Sequence, residues 1–238
     1  MKLTHIAING FGRIGRSFFR EAFGRGEFEI VAINDLADTK TLAYLLKYDS
    51  VYGRYKRMVE ARDGSFAVDG KEVKALMQKD PAALPWRELG IDIVIESTGL
   101  FASDKKSQPH LNAGARRVVI TAPASGDVTT ALIGVNDDRF INPLPITCNA
   151  SCTTNSVAPV MKILLEELGI KKSSMVTVHG YTASQKLIDS PDAKDMRRGR
   201  AAAVTIVPSS TGAAEAVIQS IPELEGKFDA VAIRVPTI

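Results

Sequence analysis

Leu3-Thr4-His5-Ile6-Ala7-Ile8-Asn9 runs straight into Gly10-Phe11-Gly12-Arg13-Ile14-Gly15, and this junction decides the fold. The first seven residues alternate and are apolar enough for a buried strand. A helical stretch follows the glycines to about Arg25. A second strand, Ile30 to Asn34, then ends in Asp35, 20 residues beyond Gly15. Glycines in this pattern are a weak signal alone. Strand, glycines, helix, strand and acid in this order and spacing describe a dinucleotide-binding unit.

Each position has a physical task. Gly10 permits the tight turn, Gly12 lets the backbone approach a pyrophosphate, and Gly15 allows close helix–strand packing. With Phe11, Arg13 and Ile14 they form the helix start on which the pyrophosphate would sit. Asp35, after Asn34, would accept hydrogen bonds from the adenosine ribose, and its charge would repel a 2′-phosphate. NAD is therefore the expected cofactor. Leu42 to Tyr55 reads as a helix and a polar turn, and Phe66–Val68 with Lys71–Met77 reads as a hairpin around Asp69-Gly70. Ile91–Ile95 and Val118–Ile120 are apolar runs that end in small hydroxyl residues, with a helix expected over 104–113. Ligands bind doubly wound sheets at the carboxyl ends of such strands, so Thr98, Gly99 and Thr121 are candidate cofactor contacts. Lys79 is counted among the cofactor-binding candidates as well. Ala131–Val135, Pro145–Cys148 and Ala203–Pro208 read as further strands. The fold class is α/β: a Rossmann, doubly wound and mostly parallel sheet over residues 1–150, followed by an incomplete α+β catalytic domain over 151–238.

Composition narrows the function. Among 238 residues 45% are hydrophobic and 24% charged, as in ordinary globular proteins. The net charge of +3 gives no argument for nucleic acid, and no apolar stretch is long enough for a membrane span. His5, Asn9, Gly10 and Gly12 interrupt the first apolar run, which argues against a signal peptide. Two cysteines, Cys148 and Cys152, exclude a disulfide scaffold and make a zinc site built from them unexpected. A reducing cytoplasm is the expected setting.

Cys152 stands in Asn149-Ala150-Ser151-Cys152-Thr153-Thr154-Asn155, ahead of Val157, Val160, Met161, Leu164, Leu165 and Leu168, which recur at steps of three and four. Ser151 suits an N-cap and puts Cys152 in the first helical turn, where unpaired N–H groups favour a thiolate or a bound anion. A cysteine can also be a small buried hydrophobe. Ser174–Val178 reads as a strand leading to His179, a base that could pair with Cys152. His5 and His110 lie near no other motif. The polar segment Tyr181–Ala203 carries Thr182, Lys186, Arg197, Arg198 and Arg200, and segments of this length are uncommon unless functional. Thr211 and Gly212 open a helix over 213–221 and form a second anion site. The last strand, Phe228–Val235, carries Arg234 among apolar neighbours, an expensive place for an unpaired charge.

These residues together resemble the phosphorylating glyceraldehyde-3-phosphate dehydrogenases. The resemblance rests on Asn9–Arg16, Ile33-Asn34-Asp35, Glu96-Ser97-Thr98-Gly99, Ala150–Asn155, Val178–Thr182 and Pro208–Ala214, and it is collinear over the whole chain. It implies that Cys152 attacks an aldehyde, that hydride passes to NAD, and that inorganic phosphate releases the acyl phosphate, with His179 as general base. It implies Thr182 and Arg234 for the phosphate of glyceraldehyde 3-phosphate. Ser151, Thr153, Arg197, Thr211 and Gly212 are implied for the attacking phosphate. A homotetramer is implied as well.

Family sequences continue past Ile238, so the chain reads as a fragment, expected to be unstable alone. Ser156 stands where many relatives have cysteine, and Cys148 where serine is usual. Ser190-Pro191 falls where NAD-specific relatives often carry Leu-Pro and dual-specificity ones small residues, and the resemblance favours NAD. Two rivals remain: erythrose-4-phosphate dehydrogenase, against which Ser210-Thr211-Gly212 argues, and an NAD-binding protein without turnover.

Overall fold

A computed structural model describes residues 3–193, 195–209 and 211–238. The described residues divide into two units, one of Met1–Ala131 with Asp137–Ala150, the other of Leu132–Asn136 with Ser151–Ile238.

The first unit runs β1 (Thr4–Asn9), α1 (Arg13–Ala22), β2 (Phe28–Asn34), α2 (Thr39–Lys47), β3 (Tyr48–Asp49), β4 (Gly53–Arg54), β5 (Val59–Arg62), β6 (Ser65–Val68), β7 (Lys71–Leu76), β8 (Ile93–Glu96), α3 (Asp104–Asn112), β9 (Arg117–Ile120), β10 (Thr129–Thr130) and β11 (Ile146–Cys148). Nine strands form one sheet in the order β10-β11-β9-β8-β1-β2-β7-β6-β5. All pairs from β10 to β7 are parallel, and β6 and β5 complete one edge as antiparallel hairpins. The chain leaves β1 toward β2 on one side and returns beside it as β8 on the other. That reversal opens a crevice at the carboxyl ends of β1 and β8.

Alternation along β1 divides the core between the two sheet faces. Ile6 and Ile8 join Phe11, Phe19 and Phe66 on one face, while Ala7 joins Trp86, Val94 and Val118 on the other. Phe11 meets Phe19 edge-on at 5.6 Å and Phe66 at 5.7 Å, so the loop ahead of α1 is anchored by its own side chain. Each such ring contributes about 2–3 kcal/mol by burial.

Arg13, in the first turn of α1, pairs with Asp49 and lies over the Tyr52 ring at 5.5 Å. Asp49 also accepts from the N–H groups of Val51 and Tyr52, and Arg13 with these donors holds its carboxyl far below the usual carboxylate range. A depressed folded-state value gives stability that is complete above about pH 4 and is lost as pH falls toward it. Asp49→Asn should therefore cost about 1 kcal/mol at pH 7, discounted because Arg13 is half exposed. Urea denaturation at pH 7 and pH 3 checks this: the gap to the parent narrows at pH 3, and an equal gap would remove the charge as its source.

The second unit holds α4 (Cys152–Glu167), β12 (Ser173–Gly180), β13 (Val207–Ser209), α5 (Ala213–Ser220) and β14 (Phe228–Val235). β14 is central, parallel to β12 and antiparallel to β13. The mixed α/β architecture agrees with the fold class read from the sequence.

Three local readings are corrected. Ala131–Val135 is not a strand; the strand there is the shorter Thr129–Thr130, and the chain turns away through Leu132–Asn136. Ala203–Pro208 is mostly turn, with pairing confined to Val207–Ser209. The apolar stripe of α4 matches its buried face only in part: Met161 is buried, with Thr154 and Ala158 beside it, whereas Val160, Leu164 and Leu168 are exposed. Small residues there let α4 pack on α5. Among the described residues no helix is long and apolar enough to cross a membrane, and no cluster of ligating side chains suits a metal ion.

Candidate active site and cofactor cleft

In the first unit a cleft of about 720 Å3 opens at the crevice beside β1. Gly10, Gly12, Asn34, Asp35, Lys79 and Thr98 line it, all candidates from the sequence. Asn9, Leu36, Gln78, Ser97 and Phe101 also line it and were missed. Asn9 and Ser97 flank candidate positions, but Gln78 reaches the site only because β7 pairs with β2, which no local pattern reveals.

The cleft fits a dinucleotide. Gly12 is the N-cap of α1 and supplies no side-chain acceptor, so the helix start keeps its donors for an anion. A Cβ at Gly12 would meet nothing within 4 Å, so backbone faces open space at that point. Asp35 is fixed by the N–H groups of Phe11 at 2.7 Å and Ala37 at 3.1 Å. The N–H of Phe11 is thereby spent on Asp35 and its ring on the core, while the side chain of Arg13 is held by Asp49. Thr121, at the end of β9, donates its hydroxyl to the carbonyl of Glu96 at 3.1 Å. Gly99 follows Thr98 at φ +73°, and Gly15 lies buried in α1. Ile14 is exposed on the first turn of α1.

The second unit carries the nucleophile. Ala150 takes φ +56°, a conformation that costs a non-glycine residue about 1–2 kcal/mol and turns the chain into α4. Ser151 is extended and caps the helix, its Oγ accepting from the N–H of Thr154 at 3.0 Å. Cys152 is the first helical residue and is exposed, with Thr153 half-buried beside it. Cys148, in contrast, is buried on β11 with its sulfur 3.2 Å from the hydroxyl of Thr130.

The sulfur of Cys152 lies 3.4 Å from Nε2 of His179. The register of β12 on β14 sets His179 directly beside Arg234. Nη1 of Arg234 is 2.5 Å from Nδ1 of His179 and 3.0 Å from the carbonyl of Gly180. Burial lowers the pKa of this guanidinium, the charge of Arg198 lowers it further, and Cys152 acts in the opposite sense. One thiol, one imidazole and one half-buried cation thus meet at a helix start.

The remaining candidates are placed as follows. Thr182 is exposed, its hydroxyl 3.0 Å from that of Ser184. Arg197 is exposed and bonded through Nε and Nη2 to both carboxylate oxygens of Asp195. Thr211 accepts from the N–H of Ala213 at 3.1 Å, so its hydroxyl braces the start of α5 beside Gly212. Ser210 lies outside the described residues.

Comparison with known proteins agrees with this geometry. Residues 4–104 match the glyceraldehyde 3-phosphate dehydrogenase NAD binding domain, and residues 151–238 match the C-terminal domain of the same enzymes. The chain belongs to the glyceraldehyde-3-phosphate dehydrogenase family. It is 52% identical over 236 residues to glyceraldehyde-3-phosphate dehydrogenase of Borreliella burgdorferi, covering 97% of this chain and 70% of that protein. The Clostridium pasteurianum enzyme is 51% identical, and the Escherichia coli K12 enzyme, glyceraldehyde-3-phosphate dehydrogenase A, is 49% identical. Each covers 98% of this chain and is itself covered over 70%. The second matched region begins at Ser151, the residue that caps α4. As a family member the chain is an NAD-dependent dehydrogenase, and NAD is its cofactor.

Proposed function

We propose that the protein oxidises glyceraldehyde 3-phosphate, with inorganic phosphate, to 1,3-bisphosphoglycerate. The observation that carries this reading is the Cys152–His179 pair, 3.4 Å apart at the head of α4. Cys152 adds to the aldehyde carbon as a thiohemiacetal, and the N-terminal N–H groups of α4 face the oxygen that gains charge. NAD, when bound, supplies the hydride acceptor. His179 takes the hydroxyl proton as the carbon is oxidised to a thioester on Cys152. Inorganic phosphate then displaces the sulfur, and the acyl group leaves as the acyl phosphate.

Arg234 governs the proton on His179 in this reading. A guanidinium only donates, so with Nη1 at 2.5 Å the Nδ1 of His179 is an acceptor, and the ring proton sits on Nε2 facing the sulfur. To act as a base at Nε2, His179 must carry its proton on Nδ1 instead, for which the carbonyl of Gly180 lies 2.7 Å away. A substrate phosphate that draws Arg234 toward Thr182 frees Nδ1 for that bond. Ser151, Thr153, Arg197, Thr211 and Gly212 are proposed for the attacking phosphate, in which case Arg197 exchanges Asp195 for it.

Residues 1–150 as cofactor domain and 151–238 as catalytic domain, assembly as a homotetramer and a cytoplasmic setting belong to the same proposal. Val176, Val178 and Val231, exposed together on one face of the β12–β14 pair, support association with further copies.

The test is NADH formation from glyceraldehyde 3-phosphate and NAD, with and without inorganic phosphate. Steady turnover only with phosphate, and a burst of about one equivalent without it, is the expected result. Turnover indifferent to phosphate would indicate hydrolysis, as in an erythrose-4-phosphate dehydrogenase. NAD binding without reduction would leave a binding protein.

A further inference from the structure

Asn9, Glu96 and His110 are almost wholly buried, at 1%, 1% and 0% exposure, and neither Glu96 nor His110 lines the cleft. The donors to Glu96 are fixed from two ends, Nδ2 of Asn9 and Nε2 of His110 lying 3.3 Å apart on the same carboxylate oxygen. At one end the N–H of Gln78 donates to Oδ1 of Asn34, and the carbonyl of Gln78 accepts from Nδ2, each at 2.8 Å. That sets the Asn34 amide, which donates to Oδ1 of Asn9 at 2.7 Å. Asn9 must then donate from Nδ2 to Oε2 of Glu96, at 2.6 Å. At the other end the indole N–H of Trp86 can only donate, and it lies 3.0 Å from Nδ1 of His110. His110 therefore carries its proton on Nε2 and donates it to Oε2 of Glu96 at 3.1 Å. Oε1 accepts the N–H of Thr98 at 2.8 Å and its hydroxyl at 2.5 Å.

We propose that Glu96, oriented by the Trp86–His110 pair, is the positioning residue of the NAD cleft. It receives four donors and lies outside the lining of the cleft. Its two oxygens hold Asn9 on one side and Thr98 on the other, and both line the cleft. A Cβ at Gly10 would stand 2.6 Å from the nitrogen of Thr98, so the glycine loop rests on the segment that Glu96 fixes. A buried carboxylate is seldom the most stable filling for such a space, and an apolar residue would not orient either neighbour.

This inference rests on the cleft being the NAD site, which Gly12→Ala tests separately, since that change enters the cleft without touching the network. Glu96→Gln places an NH2 group among donors, so either Thr98 or the Asn9–His110 side loses its acceptor. Calorimetric titration of the intact protein with NAD should show Kd raised about ten- to hundredfold, with KM for NAD rising alike and kcat within about threefold. Trp86→Phe keeps the ring and removes the donor. Nitrogen NMR of His110 should show the Nε2–H tautomer in the parent and a mixture in this variant, with NAD affinity reduced about three- to tenfold. If Glu96→Gln does not fold, Trp86→Phe, which lies outside the cleft, carries the same titration. Unchanged NAD affinity in a folded variant that merely melts earlier, or an Nδ1–H tautomer in the parent, would overturn the proposal.

Discussion

Cys152→Ser should abolish NADH formation, by at least about 10^4-fold, while NAD affinity stays at the parent value. The substitution keeps the size and the helix start, since Ser151 makes the cap and Thr154 satisfies it. A hydroxyl at this position lacks the nucleophilicity of sulfur, and the imidazole 3.4 Å away does not restore it. No residue lining the cleft is altered, so the loss must fall on kcat and the burst, and not on cofactor binding. Alkylation gives an independent check. Cys152 is exposed and Cys148 is 2% exposed, so iodoacetamide should add one label, at Cys152, in step with the loss of activity. His179→Asn should cost less, about 10^2- to 10^4-fold, because it removes proton transfer and leaves the nucleophile. A serine variant within tenfold of the parent would remove covalent catalysis from the account.

Much of the fold was legible because local chemistry and tertiary role coincide. The strand, glycine loop, helix and acid of the first 35 residues depend on short-range geometry, and β1, α1 and β2 follow it closely. The Asp69-Gly70 turn predicts the β6–β7 hairpin for the same reason, with Asp69 itself at φ +48°. Ser151 is readable as a cap because only its immediate neighbours need satisfying. β5 went unread, since Val59-Glu60-Ala61-Arg62 alternates over four residues only, too short a run to register, on a mostly exposed edge strand.

The candidate site shows the opposite limit. His110 read as an isolated histidine in a polar helix, yet the structure buries it completely against Glu96 and Trp86. Periodicity registers apolar burial only. A helix that buries Ser107 and His110 while exposing lysines carries no such signal, because its partners arrive from β1, β8 and the segment after β7. The α4 stripe misleads at Val160 and Leu164 for the mirror reason, these being apolar at positions that do not pack. Residues that meet through strand register, such as His179 and Arg234, become neighbours only once β12 and β14 are paired.

The three glycines of the loop should separate stability from binding when each is changed to alanine. A Cβ at Gly15 would lie 2.2 Å from the carbonyl oxygen of Gly10, and 3.1 Å from the side chain of Ile8. The first obstacle is backbone of the loop itself, with no flexible end to move, so α1 must shift away from β1. At Gly10 the added atom would meet Thr98 N at 2.6 Å and Ser97 C at 2.7 Å, in a backbone at φ +90° that alanine itself resists. Overpacking costs about 1–3 kcal/mol, and the left-handed conformation adds about 1–2 kcal/mol at Gly10. Either change should lower the melting midpoint of the first unit by several degrees, about 2–4 °C for each kcal/mol. Gly12→Ala meets nothing within 4 Å and should melt with the parent. Its methyl group instead occupies the face at the start of α1 where a pyrophosphate must approach the backbone, so NAD binding should weaken about ten- to hundredfold. Thermal melts paired with NAD titration read both effects on the same samples. A Gly15→Ala protein melting with the parent would mean that the loop and helix can part cheaply. A Gly12→Ala protein binding NAD as the parent does would place the pyrophosphate elsewhere, and the cleft at β1 would lose its assignment.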